Sequence, residues 1–295
     1  MRTTELMQLR YFQVAAYYEH MSKAAEYLNV SQPALSSMIS RLEKELGLLL
    51  FDHVGRTVRL NNNGKILLKH VNHVFMEIED AKSELKDSTN KASHLISFAA
   101  SSPQFLQGMQ TFMAKFPDCK WNQRLTNNEE IKKLLKRGQI DLAVVSPGIY
   151  DEEFESTLLT HDVFKLAVHK DNPLSKKKII SLRELTNEPF IMLTKDQPFR
   201  RQTDAIFSEF GITPNFIMEC DHLLRRELIN SNAGITIASQ SALFRHLYSD
   251  DIRFIDIEEV HQTRDIVLVT NKNRYKSKVV KQFEAFLKNK FLKKS

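Results

Sequence analysis

The chain has 295 residues, 42% of them hydrophobic and 26% charged, with a net charge of +6 and two cysteines, Cys119 and Cys220. That length suits two or three globular domains, and two thiols are too few for a disulfide scaffold, so two reduced thiols are expected, with a redox role for either left open by the sequence. No apolar run approaches the ~18–20 residues that cross a bilayer. Arg2, Glu5 and Arg10 interrupt what would be the apolar core of a secretory leader, so a cytoplasmic chain without membrane contact is expected.

The charge is unevenly spread. Residues 1–92 hold 12 basic and 11 acidic side chains (+1), residues 93–270 hold 21 and 24 (−3), and residues 271–295 hold 9 and 1 (+8). The excess therefore lies in the tail and is no argument for a nucleic-acid face in the first third. With 8 Gly and 8 Pro, long helices are expected. Residues 6–86 read as almost wholly helical, whereas from about Ser93 short apolar runs alternate with helical stretches.

The sharpest local pattern is Ser22–Leu46. Ser22 is placed to cap a short helix over Lys23–Leu28, whose Ala24-Ala25 pair lets another helix cross closely. Asn29-Val30 makes a turn, Ser31 caps a second helix, and Pro33 is tolerated in its first turn. Leu35, Met38, Ile39, Leu42 and Leu46 share one face of that helix. The other side carries Gln32, Pro33, Ser36, Ser37 and Ser40, small and polar enough to enter a major groove, with Gln32 suited to an adenine edge. An ordinary solvated face has the same composition. Residues 52–60 then read as two short strands about a turn at Val54–Arg56. This is either a wing bringing His53, Arg56 and Arg59 to DNA or a plain hairpin.

Leu9-Arg10-Tyr11-Phe12, Ser22-Lys23-Ala24-Ala25, Leu28-Asn29-Val30-Ser31-Gln32-Pro33-Ala34-Leu35-Ser36 and Leu42-Glu43-Lys44-Glu45-Leu46-Gly47 resemble the DNA-binding domain of LysR-type transcriptional regulators, and Leu50-Phe51 and Leu60…Gly64 continue the match. The resemblance implies an α+β multidomain bacterial protein. Residues 1–62 would form a winged helix-turn-helix, residues 63–92 a linker helix for dimerisation, and residues 93–295 a two-lobed effector domain like periplasmic solute-binding proteins. It implies DNA contacts at Ser31, Gln32, Pro33, Ser36, Ser37, His53 and Arg56, with Ser37 and His53 standing where the family usually carries arginine.

From Lys65 to Leu85 the apolar residues Leu67, Val71, Val74, Ile78, Ala81 and Leu85 recur at an average of 3.5 residues, the spacing of a coiled-coil seam. A helix packed on its own domain is the alternative. The resemblance favours pairing into a homodimer or homotetramer, which would present two recognition helices to a partly palindromic promoter site.

The second unit begins with Leu95–Ala100, Ser101-Ser102-Pro103 and a helix expected over Gln104–Phe116. Further strands are expected at Ile140–Val145, Phe164–Val168, Phe190–Leu193 and Ile235–Ala238, in a mostly parallel sheet. Ligands of open α/β sheets sit beyond the carboxyl ends of strands. Polar loops lie there at Thr126-Asn127-Asn128, Ser146-Pro147 and Thr194–Phe199, although capping alone accounts for Ser102 and Asn127. The resemblance divides the lobes at about 93–162 with 267–295 and 163–266. It carries over Ser101, Ser102, Thr126 and Thr194 as effector contacts, extended by Asp196, Gln197 and Phe199. The effector is a small molecule, expected to be anionic because a helix start favours an anion.

No phosphate-binding loop, dinucleotide fingerprint, nucleophile elbow or zinc spacing occurs, so no catalysis, cofactor or metal is expected. His70 and His73 are set aside as packed or solvated residues of the linker helix. The competing function is a small-molecule binding protein or enzyme on the same C-terminal fold, with the N-terminal helices serving only to pair.

Overall fold

The computed structural model describes residues 3–54, 57–89, 95–106, 108–239 and 248–292, and the chain forms two compact units, Met1–Lys82 and Ser83–Ser295.

In the first unit α1 (Thr3–Tyr18), α2 (Met21–Tyr27) and α3 (Gln32–Leu46) pack about Phe12, Ala15, Leu35, Ile39 and Leu42. Ala24 and Ala25 are buried where α2 meets its neighbours, as their size requires. The sequence errs by one turn at the start of α2, which His20 precedes, so Ser22 lies inside the helix and does not cap it. Asn29 takes the turn with φ 53°, a left-handed value that its short polar side chain tolerates. Ser31 Oγ accepts a hydrogen bond from Ala34 N at 3.3 Å, and Gly47, at φ 69°, ends α3 in the left-handed conformation that glycine adopts without strain. Leu46, expected on the apolar face, is the last residue of α3 and is 45% exposed.

Strands β1 (Phe51–Val54) and β2 (Thr57–Leu60) pair antiparallel, with Phe51 opposite Leu60 and Asp52 opposite Arg59. Asn61 then caps α4 (Asn62–Ser88), accepting from Gly64 N at 2.9 Å and donating through Nδ2 to the Leu49 carbonyl.

The second unit has two lobes with separate cores. In the first, β3 (Leu95–Ala100), β4 (Lys120–Leu125), β5 (Leu142–Val145) and β12 (Thr263–Asn271) form a sheet covered by α9 (Lys278–Leu292) on one side and α6 (Asn128–Lys136) on the other. In the second, β7 (Ile179–Ile180), β11 (Ile252–Ile257) and β10 (Thr236–Ser239) join a sheet, and β8 (Phe190–Leu193) pairs with β9 (Phe216–Cys220). Helices α7 (Pro198–Glu209) and α8 (His222–Asn230) belong to this lobe. The 16-residue β6 (Phe154–His169) runs through both, pairing with β12 up to Val163 and with β10 and β11 from Phe164 onward.

Two expectations are corrected. The main sheet is mixed, because β6 and β12 run antiparallel to each other, and β12 runs antiparallel to β5. The expected helix over Gln104–Phe116 is a 3-10 turn (Pro103–Leu106) and a short α5 (Met109–Met113), interrupted at Gly108, whose φ of 79° breaks the helical path.

Gly64 makes the tightest backbone approach of the first unit. A Cβ there would stand 2.2 Å from the Leu50 carbonyl oxygen, which neither backbone can yield. Gly64→Ala should therefore lower the stability of this unit by about 1–3 kcal/mol, read as a reduced urea midpoint, despite alanine's better helix propensity.

Candidate functional site

The first surface is the N-terminal turn of α3. Gln32, Pro33 and Ser37 are exposed and Ser36 is half-buried, while Leu35 and Ile39 on the opposite face fix the helix to the core. Gln32 Nε2 donates to Ser36 Oγ at 3.1 Å, so the amide lies along the helix surface beside the serine. Such an edge offers both a donor and an acceptor to a base pair. Of the expected wing contacts, Arg56 and the His53 side chain lie outside the described residues. Arg59 on β2 is exposed.

Sequence reasoning missed what holds the wing beside the helix. Glu43 Oε1 accepts from Leu50 N at 2.8 Å and from Phe51 N at 3.4 Å, and Glu19 Oε1 accepts from Leu60 N at 2.9 Å. Neither glutamate carries a role in the sequence reading. Their role follows from backbone N–H groups that no strand partner reaches.

The apolar stripe of α4 divides. Val71 is 2% exposed and Leu67 packs beside it in the core of the first unit, so these two are occupied within their own domain. Val74 and Leu85 are 39% and 67% exposed, Ala81 is exposed and Ile78 is half-buried.

The second surface is a cleft of about 480 Å³ between the lobes. One wall is the start of α6 with Asn127, Asn128 and Lys132, and the segment Pro147–Ile149. The other is α7 with Pro198, Arg201 and Gln202. Asn127 caps α6 by accepting from Glu130 N at 3.0 Å, and Asn128 Nδ2 donates to the Pro147 carbonyl at 2.8 Å. Asn128 Oδ1 and Gln202 Oε1 are buried without a hydrogen-bond partner among the described residues, so the cleft offers acceptors to a donor.

None of the seven effector positions expected from sequence lines this cleft, but Thr126 and Gln197 directly precede Asn127 and Pro198 on its two walls. Ser101 and Ser102 are buried, and Ser101 Oγ is engaged by Ser146 N at 3.0 Å. Asp196 is exposed, and a hydrogen bond from Thr194 lowers its pKa. Phe199 is turned into the second lobe, stacking on Phe164 with ring centres 5.7 Å apart.

Phe199 also marks a buried polar cluster where the lobes join. Arg264 lies 4.6 Å from the Phe199 ring centre and 5.8 Å from that of Phe105, which comes from the first lobe. Its Nε and Nη2 stand 2.9 and 2.8 Å from Asp162 Oδ2, to which Ser239 Oγ also donates. Arg225 lies 5.5 Å from the other reach of Phe199. His222, one turn before it, has both ring nitrogens buried without a partner, and its pKa is pushed down to about 3 by burial and by the charges of Arg225 and Arg264.

Comparison with known proteins places these two surfaces in one framework. Residues 6–65 match the bacterial regulatory helix-turn-helix domain of the lysR family, and residues 96–292 match the LysR substrate binding domain. The chain belongs to the LysR family. It is a DNA-binding transcriptional regulator with an effector-binding domain, and not an enzyme.

Among similar proteins, the uncharacterized HTH-type transcriptional regulator YybE of Bacillus subtilis is 28% identical over 96% of this chain and 98% of its own. AlsR of the same organism is 27% identical over 95% and 94%. A full-length OxyR variant from Pseudomonas aeruginosa shares the fold with a TM-score of 0.68 at 20% identity, covering 97% of this chain and 94% of that one. Full-length CbnR in complex with its target DNA gives 0.53 at 19% identity, covering 97% and 99%.

In this LysR-family regulator His222 supplies a test of the cluster's dryness. The unfolded chain takes up a proton on it near its ordinary 6.5, the folded chain only near 3. Between those values the unfolded state holds more protons, so this residue makes stability rise with pH. Wild type should therefore lose stability faster than His222→Gln as pH falls from 6.5 toward 3. Parallel urea-midpoint curves would show that the imidazole is solvated in the folded state.

Proposed function

We propose that this regulator reads a partly palindromic promoter site as a homodimer or dimer-based tetramer in the cytoplasm, and that a small anionic effector held between its C-terminal lobes alters its grip on DNA. The observation that carries the DNA half is the exposed Gln32–Ser37 turn of α3, held rigidly by the Ser31 cap below and the Glu43 contacts beside it. Ser31, Gln32, Pro33, Ser36 and Ser37 are the base and phosphate contacts of this reading, and His53 and Arg56 its wing contacts. Rigid presentation matters because a bidentate base contact tolerates little misplacement.

Pairing is supported by the C-terminal half of α4, where Val74, Ile78, Ala81 and Leu85 keep a seam that no core of the first unit covers. An anionic effector is supported by the two helices that begin at the cleft. Helix N-termini carry partial positive charge, and Arg201 adds a full one, while Lys132 is shared with Asp151 at 2.8 Å and Glu129 opposes it. The resemblance assigns Ser101, Ser102, Thr126, Thr194, Asp196, Gln197 and Phe199 to the effector's surroundings, and the unpartnered oxygens of Asn128 and Gln202 on the cleft lining support them as further acceptors for its donor groups.

Fluorescence anisotropy with the protein's own upstream DNA and a random duplex tests the central reading at physiological salt. Equal affinities would exclude sequence-specific regulation and favour a binding protein whose N-terminal helices only pair. Gln32→Ala should cost about 1–3 kcal/mol on the specific site and little on the random duplex. Introducing glutamate at Val74 and Ile78 should shift sedimentation toward the monomer, and an unchanged profile would place the interface elsewhere.

A further inference from the structure

Among the described residues, the second lobe and its junction with the first enclose three arginines, each about 5% exposed or less: Arg200, Arg225 and Arg264. Two of them are answered by the chain. Arg200 bonds Asp204 at 2.7 Å, Glu219 at 2.5 Å and the Leu193 carbonyl at 2.6 Å, and Arg264 bonds Asp162. Arg225 has neither a carboxylate within ion-pairing distance nor a hydrogen-bond acceptor among the described residues, and its Nε is wholly shielded.

Its surroundings make the imbalance worse. The adjoining crevice, lined by Phe199, Thr203, Thr236 and Met192, is too narrow to admit a water, so the guanidinium is not solvated from that side. Arg225 stands in the first turn of α8, the positive end of the helix dipole, where a cation is disfavoured. Asp221, the acidic group at that helix start, is committed to capping, accepting from Leu223 N and Leu224 N at 2.8 and 2.9 Å. Beside it are the unpartnered imidazole of His222 and the charge of Arg264. A guanidinium only 4% exposed and without a counter-charge among the described residues is costly to keep, and because Nε alone is wholly shielded, its terminal nitrogens are where an anion from outside can reach it.

We propose that Arg225 is the charge anchor for a carboxylate on the effector. The proposal rests on the reading that an effector binds where the lobes meet. Arg225 belongs there because α8 starts at the carboxyl end of β9, beside Phe199 and Arg264, and Arg264 reaches Phe105 of the first lobe. A planar fork such as guanidinium pairs two donors with the two oxygens of a carboxylate, which an amide or alcohol cannot match. The class committed to is therefore a small organic carboxylate. Inorganic oxyanions, which share the charge, are separated by the test.

Thermal unfolding of the full chain with benzoate, pyruvate, succinate, inorganic phosphate and benzamide, at ionic strength matched with chloride, examines this directly. At least one carboxylate should raise Tm in wild type. R225Q should weaken its binding about ten- to a hundred-fold, with R225K retaining part of it. Phosphate acting alone through Arg225, benzamide acting as well as benzoate, undiminished binding by R225Q, or no carboxylate response in wild type would each overturn the proposal. Loss of binding in Q202A but not in R225Q would leave the inter-lobe effector standing while removing Arg225 as its anchor. Should R225Q fail to fold, R225M in the ligand-free chain gives an independent reading. Its urea midpoint should rise, because an unmatched charge is removed at similar volume, and a fall would show that Arg225 is satisfied without a ligand.

Discussion

The effector-binding unit depends on the antiparallel pairing of β6 with β12. Both lobes hang on β6, which keeps β12 as its neighbour as far as Val163 and exchanges it for β10 and β11 at Phe164. Just before that exchange the register places Arg264 opposite Asp162, and both side chains are buried. Desolvating two charges is expensive, and it is offset where Arg264 donates through Nε to Asp162 Oδ2 and brings Nη2 within 2.8 Å of it, while Ser239 donates a second hydrogen bond to the same oxygen. Ser239 closes β10, so the ion pair ties a third strand into the same point. Phe105 and Phe199 cover the guanidinium from the two lobes, which gives the junction an apolar lining around a charged centre.

The same logic distinguishes the arginines of the second lobe. Burial alone does not mark a site, since Arg200 is as buried as Arg225 and is fully matched by Asp204, Glu219 and a carbonyl. What separates them is whether the chain supplies the counter-charge. In sequence both belong to Arg-Arg pairs, Arg200-Arg201 and Arg225-Arg226, that look like solvated charge. The one clue was spacing: Arg225 and Ile229 stand four apart on α8 and face inward together, whereas Arg226 falls outside that row.

Much of the DNA-binding unit was legible because its signals are local. A serine cap, an alanine pair and an apolar row act within a few residues, so Ser31, Ala24-Ala25 and Leu35–Ile39–Leu42 could be placed from spacing alone. Glu43 and Glu19 could not, because the N–H groups they satisfy lie 7 and 41 residues away. In the effector-binding unit β3, β5, β8, β10 and the second half of β6 were visible, whereas β4, β7, β9, β11, β12 and the strand directions were not. Antiparallel β12 arrives from the far end of the chain, and nothing in its apolar run records which neighbour it takes. The expected helix after Pro103 failed because Gly108 adopts a backbone conformation that periodicity does not encode. The effector positions expected from the family loops came near the cleft without lining it, since Asn128, Lys132 and Gln202 sit on the first turns of helices beyond those loops.

The two functional surfaces are connected by a helix without an interruption. Residues 65–88 contain neither glycine nor proline, although the boundary between the compact units falls inside them. At its start α4 is bound to the turn before the wing through Asn61, which holds the Leu49 carbonyl and caps Gly64 N. At its end buried Asp87 accepts from the Tyr275 hydroxyl and from Lys278 N, both at 2.9 Å, and so caps α9 of the effector-binding unit. Under the proposed function, a ligand that favours one arrangement of the lobes and DNA that favours the same arrangement would alter each other's affinity by one common factor.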